Sequence, residues 1–130
     1  MNNEFPLISI VVPSYNQGKF IEDTLLSILN QDYPNKEVIV VDGGSTDQTV
    51  GILKKYSQRI TYVSENDNGQ SDAVNKGFRM ASGSFMGWLN SDDIYPDRHA
   101  VSKIVFEFNR DPSADLIYGN FLEIDGNNRV

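Results

Sequence analysis

The chain has 130 residues, no cysteine and one histidine, with 11 basic against 18 acidic side chains and a formal net charge of −7. A chain of this size can bury one hydrophobic core but not two, and its negative charge argues against binding a nucleic-acid backbone. Lack of Cys excludes disulfide scaffolds and thiol catalysis, and one His cannot build a zinc finger. No apolar run approaches the ~18 residues of a membrane span, and the N-terminal MNNEFP lacks the basic and apolar regions of a signal peptide. The expectation is a soluble, single-domain, cytoplasmic protein.

Leu7 to Val12 (LISIVV) is a nearly continuous apolar run closed by Pro13, as in a strand buried on both faces. From Lys19 to Gln31, Ile21, Leu25, Ile28 and Leu29 recur at helical spacing, and Asp32-Tyr33-Pro34-Asn35 ends the helix. Glu37 to Val41 (EVIVV) is a second buried strand. Ser45 and Gln48 have capping-box spacing ahead of a helix through Val50, Leu53 and Tyr56. A weaker strand at Ile60 to Val63, a helix at Ser71 to Met80 and a strand at Ser84 to Leu89 follow. Val101, Ile104, Val105 and Phe108 mark another helix. Asp115 to Tyr118 and Phe121 to Ile124 read as strands, with Asp125-Gly126-Asn127-Asn128 as a turn. Phe85 and Trp88 are expected in the core, and His99 at the surface or in a helix cap.

Alternating strands and helices predict an α/β fold: a three-layer α/β/α arrangement around a mostly parallel sheet. The last turn would feed a return strand, yet only Arg129 and Val130 follow it, so the expectation is a chain truncated in mid-hairpin.

Asp and Asn are abundant, with 12 Asp, 6 Glu and 13 Asn, and they favour caps, turns and strand-end loops. The first four predicted strands each end in such a loop: Pro13 to Gly18, Asp42 to Asp47, Ser64 to Asp72 and Asn90 to Asp93. In a parallel sheet these ends lie on one edge, where ligands bind. Two adjacent carboxylates, Asp92 and Asp93, repel one another unless a divalent cation intervenes. Oxygen ligands without His or Cys suit Mg²⁺ or Mn²⁺, with diphosphate oxygens completing the shell. The pair could instead cap the following helix, although Pro96 and Asp97 stand nearer its start. Tyr15 could stack on a nucleobase or pack against its own helix. Asp42 could accept from a base N–H or a ribose hydroxyl, and Gly43-Gly44 admits a ligand close to the backbone or makes a tight turn. Asp67, Asp72 and Lys76 could contact ribose, sugar or diphosphate, or be solvated residues at a helix start. No G-x-G-x-x-G, G-x-x-x-x-G-K-[ST] or G-x-S-x-G occurs at the positions that dinucleotide, P-loop or hydrolase sites require.

The ordered motifs VVPSYNQGKFIEDTLLSILNQDYPNKEVIVVDGGSTDQTV, ENDNGQSDAVNKGF and GWLNSDD resemble the N-terminal half of a family 2 glycosyltransferase, from about Leu7 to Phe121. The resemblance implies a Rossmann-like glycosyltransferase A-type fold, with residues 1–130 as the donor-binding part of one such domain. It implies an inverting transfer from a nucleotide-diphospho-sugar, UDP-sugar by default, to a hydroxyl of a glycan or lipid-linked acceptor in cell-surface polysaccharide synthesis. By position, Pro13, Tyr15, Asn16, Asp42 and Gly43 would surround base and ribose. Asp67, Gly69, Asp72, Asn75 and Lys76 would line the nucleotide-sugar pocket. Asp92 would lie against ribose or sugar, and Asp93 would ligate Mn²⁺ or Mg²⁺; these two are the expected catalytic residues. Many members carry a second Asp where this chain has Gly43, which leaves Asp42 to contact the base alone. The family's catalytic base lies in an acceptor-binding half beyond residue 130, so the alternative is a non-catalytic nucleotide-sugar-binding fragment. Peripheral association with the inner face of the membrane and homodimerisation through an unpaired sheet edge are the remaining expectations.

Overall fold

The computed structural model describes residues 4–130. Four strands, β1 (Ile8–Ser14), β2 (Lys36–Asp42), β3 (Thr61–Ser64) and β4 (Phe85–Trp88), form one parallel sheet in the order β3-β2-β1-β4. Between and after them run α1 (Ile21–Leu29), α2 (Thr49–Lys55), α3 (Gln70–Met80) and α4 (Ala100–Arg110). The predicted three-layer α/β architecture is the one observed.

Strand periodicity divides the apolar residues between two layers. Ile8, Ile10 and Val12 of β1 and Val38 and Val40 of β2 pack with Ile21, Leu25 and Ile28 of α1, Leu53 of α2 and Val101 and Val105 of α4. The alternate residues, Val11, Ile39 and Val41, pack with Ala73 and Phe78 of α3 on the opposite face. Because both faces are covered, β1 and much of β2 are almost continuously apolar, which is why these two strands are the plainest in the sequence. The sheet edge carrying the strand ends is where α3 and the connecting loops leave an opening.

Three local expectations are corrected. Ser45 does not cap α2: its hydroxyl donates to Asp42, and Asp47 Oδ1 instead accepts the Thr49 N–H at 2.9 Å. Trp88 is 53% exposed rather than buried, because α3 covers β1 and β2 but leaves the same face of the edge strand β4 open, Met86 included. Phe85, on the other face, packs against the core and stacks on Phe108 with ring centroids 4.5 Å apart. Asp115 to Tyr118 and Phe121 to Ile124 form no strands among the described residues. They pair with no other strand, and Leu116, Tyr118, Phe121 and Leu122 remain exposed. The turn after them does form, with the Asn128 N–H donating to Asp125 O at 2.9 Å. His99 is the N-cap residue of α4, its ring against Asp32 at the surface.

Candidate functional site

The loops leaving β1 and β2 are tied together. Asn16 adopts a left-handed backbone (φ 52°), and its Oδ1 accepts the Thr46 N–H at 2.9 Å while its own N–H donates to Ser45 Oγ at 2.8 Å. Asn tolerates this conformation better than most residues. Further along, the Gly18 N–H donates to Asp47 Oδ2 at 2.9 Å and the Gln17 N–H to Thr49 Oγ1 at 3.1 Å. Thr49 and Gly18 in turn hold the Asp47 carboxyl below its ordinary pKa, the Thr49 hydroxyl contributing most.

Asp42 is fully buried at the end of β2. Its Oδ2 accepts from Ser45 N–H at 2.8 Å, Gly44 N–H at 3.2 Å and Ser64 Oγ at 2.7 Å, and its Oδ1 accepts from Ser45 Oγ. A carboxylate with this many donors is satisfied within the protein. It ties the β2 turn to the end of β3, and it does not line the opening above the sheet. Gly44 follows with φ 85°, where a side chain would also meet Asn66 Oδ1 at 2.6 Å.

The third loop is ordered by its own acids: Asp67 Oδ1 accepts the Gly69 N–H at 2.9 Å and Asp72 Oδ2 the Asn68 N–H at 3.0 Å. Asp72 lies in the first turn of α3, where a negative charge complements the helix dipole. Lys76 is paired with Glu65 at 2.8 Å, and that hydrogen bond, with smaller help from Asp72 and Asp67, raises its pKa. Asn90, at the β4 exit, joins this loop to the fourth: its Oδ1 accepts from Gln70 Nε2 at 2.7 Å and from Trp88 Nε1 at 2.9 Å. In the fourth loop the Asp93 N–H donates to Asn90 O at 3.0 Å and Asp93 O accepts the Thr24 hydroxyl at 2.7 Å, so the backbone is anchored to α1 while both Asp92 and Asp93 remain exposed.

These four loops enclose a cleft of about 600 Å³, within the range of small-molecule sites. Of the residues expected from the sequence, Pro13, Tyr15, Gly43, Asp67, Gly69 and Asp92 line it. Tyr15 is 61% exposed, so its ring stands at the cleft rather than packing against α1. Asn16, Asp42, Asp72, Asn75, Lys76 and Asp93 are outside the lining. The first three shape the loops that bound it, Lys76 is engaged by Glu65, and Asp93 adjoins the lining residue Asp92. Gln17, Asn66, Gln70, Asn90 and Ser91 also line the cleft without having been singled out individually. The Gln70–Asn90 contact spans twenty residues, and no local pattern announces it.

Among the described residues no three His, Cys, Asp or Glu side chains stand together as a metal cage. Asp92 and Asp93 form no ion pair there either. One or two free carboxylates completed by phosphate oxygens and water are nonetheless a suitable donor set for a hard divalent cation. No helix among the described residues is long and apolar enough to cross a membrane.

The chain is 37% identical over 97% of its length to the putative teichuronic acid biosynthesis glycosyltransferase TuaG of Bacillus subtilis (strain 168), and covers 52% of that protein. It is 37% identical over 92% of its length to the chondroitin synthase of Escherichia coli, and covers 18% of it. The chain therefore spans about half or less of the length of these relatives. Among solved structures, the mannosyltransferase PcManGT from Pyrobaculum calidifontis, in complex with GDP-Man and Mn²⁺, superposes with a TM-score of 0.76 at 31% identity, over 82% of this chain and 33% of that one. S. aureus TarS 1-349 in complex with UDP-GlcNAc superposes with a TM-score of 0.71 at 31% identity, over 79% of this chain and 31% of that one. The sequence resemblance and the fold thus agree with the family model, which matches residues 9–130: the chain belongs to glycosyl transferase family 2 and has the glycosyltransferase A-type fold.

Proposed function

We propose that this chain is the donor-binding part of an inverting glycosyltransferase that takes a nucleotide-diphospho-sugar, a UDP-sugar in the first instance, together with Mn²⁺ or Mg²⁺. The observation that carries the reading is the single cleft bounded by an exposed aromatic ring at one strand end, Tyr15, and a free carboxylate at another, Asp92. Nucleoside and metal-diphosphate chemistry need these two ends of one opening. The PcManGT complex with GDP-Man and Mn²⁺ and the TarS complex with UDP-GlcNAc support it by likeness. The acceptor is proposed to be a hydroxyl of a cell-surface polysaccharide or its lipid-linked precursor, consistent with the name of the Bacillus relative.

In this reading Tyr15 stacks on the base and Asp92 approaches the ribose or sugar. Asp93 holds the cation, and Asp42 and Asn16 position the β1 and β2 loops from within. A divalent cation there would offset the charge that gathers on the departing nucleoside diphosphate. Inversion requires the acceptor hydroxyl to attack the anomeric carbon opposite the leaving group while a general base removes its proton. No residue described here is assigned that base.

Calorimetric titration of UDP with and without Mn²⁺ tests the reading. Binding should tighten with the metal, and Asp93→Asn should abolish the difference. Full metal dependence in the variant would refute the placement. Sugar transfer or donor hydrolysis by the chain separates an enzyme from a module that only holds the nucleotide sugar.

A further inference from the structure

Gly43 and Gly44 are glycines for different reasons. Gly44 has a positive φ of 85°, a conformation L side chains rarely adopt, whereas Gly43 is not among the positive-φ residues and its backbone would accept a side chain. What crowds a side chain at 43 is space: a Cβ there would lie 3.0 Å from both carboxylate oxygens of Asp67, which would have to give way slightly. The Asp67 carboxylate thus stands directly beside the position where a residue-43 side chain would begin.

Strand alternation decides which way that position looks. Val41 belongs to the face covered by α3, and Asp42 turns to the other face, where it meets Ser64 and Ser45. Its carboxylate is fully buried and already holds four donors within the protein, which leaves it off the cleft lining. Gly43 and Asp67 both line the cleft, on the side of Ala73 of α3. Asp67 Oδ1 takes the Gly69 N–H, and no intramolecular partner is found for Oδ2 among the described residues.

We propose that Asp67 is the nucleobase-reading residue of this cleft: its carboxylate, standing in for a side chain at position 43, accepts the ring N–H of a uracil-type base. The inference rests on the nucleotide-sugar reading above and names the base within it. A carboxylate is an acceptor only. Uracil presents one ring N–H between two carbonyls, matching the one uncommitted oxygen. Cytosine presents a bare ring nitrogen at the same place, lone pair against lone pair, and is rejected.

The test is calorimetric titration of the chain with UDP and CDP, each with Mn²⁺. The native chain should prefer UDP. Asp67→Asn keeps Oδ1 for the Gly69 N–H but puts an NH₂ donor where Oδ2 was, which can serve the cytosine ring nitrogen. It should narrow the UDP:CDP ratio by about tenfold or more, as expected for a hydrogen bond to a charged group. A merely structural role would weaken both nucleotides alike and leave the ratio unchanged. Adding Gly43→Asp to Asp67→Ala, which clears the crowded space beside residue 43, returns a carboxylate to that side of the cleft and should restore the UDP preference. If UDP and CDP bind the native chain but the ratio is indifferent to Asp67→Asn, the base-reading role is refuted while nucleotide binding stands. If neither nucleotide binds, the broader reading fails and takes this one with it.

Discussion

Gly77 and Gly51 separate helix propensity from packing. Both are helix-interior glycines, in α3 and α2, and Ala is favoured over Gly there by about 1 kcal/mol. Around Gly51 a new Cβ would meet nothing within 4 Å. At Gly77 it would lie 2.3 Å from Val11 Cγ1 and 3.0 Å from Cγ2. Val11 is fully buried in the central strand β1, hydrogen-bonded on both sides to β2 and β4, so it has little room to retreat. Ordinary contact begins at 3.4 Å, which leaves the Gly77 side chain about 1 Å too close, and α3 must lift off the sheet. Overpacking of this kind costs roughly 1–3 kcal/mol and outweighs the propensity gain. Gly51→Ala should therefore raise stability by up to about 1 kcal/mol, while Gly77→Ala lowers it by up to roughly 2 kcal/mol once propensity is subtracted. Urea denaturation read by the fluorescence of Trp88 measures both. Lifting α3 also moves Asp67 and Gly69 at its N-terminus, so the Gly77 variant should lose UDP affinity as well. Two equally stabilising substitutions would refute the close seat of α3 on β1.

Two further outcomes follow from named contacts. Tyr15→Ala should weaken UDP binding by about 1–3 kcal/mol if the ring stacks on the base, with little change in melting temperature because the side chain is already exposed; an unchanged affinity in the calorimeter would eliminate stacking. Burial tends to raise the Glu37 pKa, but hydrogen bonds from the Ser9 hydroxyl and the Ser82 N–H and hydroxyl outweigh it and leave it below its ordinary value. A carboxyl depressed in the folded state contributes stability above its unfolded pKa, and that contribution is lost as pH falls through the folded one. Glu37→Gln should accordingly be less stable than the native chain at neutral pH, with the gap closing below about pH 4; urea denaturation giving the same gap at pH 7 and pH 3 would contradict the ionised contact.

The parallel sheet was legible because its inner strands are buried on both faces, and LISIVV and EVIVV therefore carry no polar interruption except Ser9, whose hydroxyl is taken up by Glu37. Trp88 is exposed against expectation because apolar character does not reveal whether a strand lies at an edge, and only the sheet order leaves one face of β4 open. The segments 115–118 and 121–124 have strand character, yet a strand requires a neighbour to exchange hydrogen bonds with, and here they find none. At the cleft, the four loops could be placed from the ends of their strands, whereas the direction of each side chain could not. Asp42 and Gly43 differ by one residue and face opposite sides of the sheet, so the acid visible in the sequence is the one turned inward. On this side of the cleft the lining acid is Asp67, a pocket candidate in the sequence as well, from a loop 25 residues beyond Asp42.

Charge brings these assignments together. The cleft is lined by the carboxylates of Asp67 and Asp92, with Asp93 beside them, and the nearby cation Lys76 is already paired with Glu65. The lining holds no Lys, Arg or His, so an unaccompanied diphosphate entering the cleft meets net repulsion. The two lining acids have different remedies. At the proposed base end, Asp67 would be opposed by no ligand charge and would need only a neutral N–H donor. At the proposed diphosphate end, Asp92 and Asp93 would face further anions, and a divalent cation would reverse the field there. Metal dependence should therefore reside in the diphosphate and not in the nucleoside. That is why Asp93→Asn and Asp67→Asn are expected to fail in different ways, the first losing its response to Mn²⁺ and the second its choice of base.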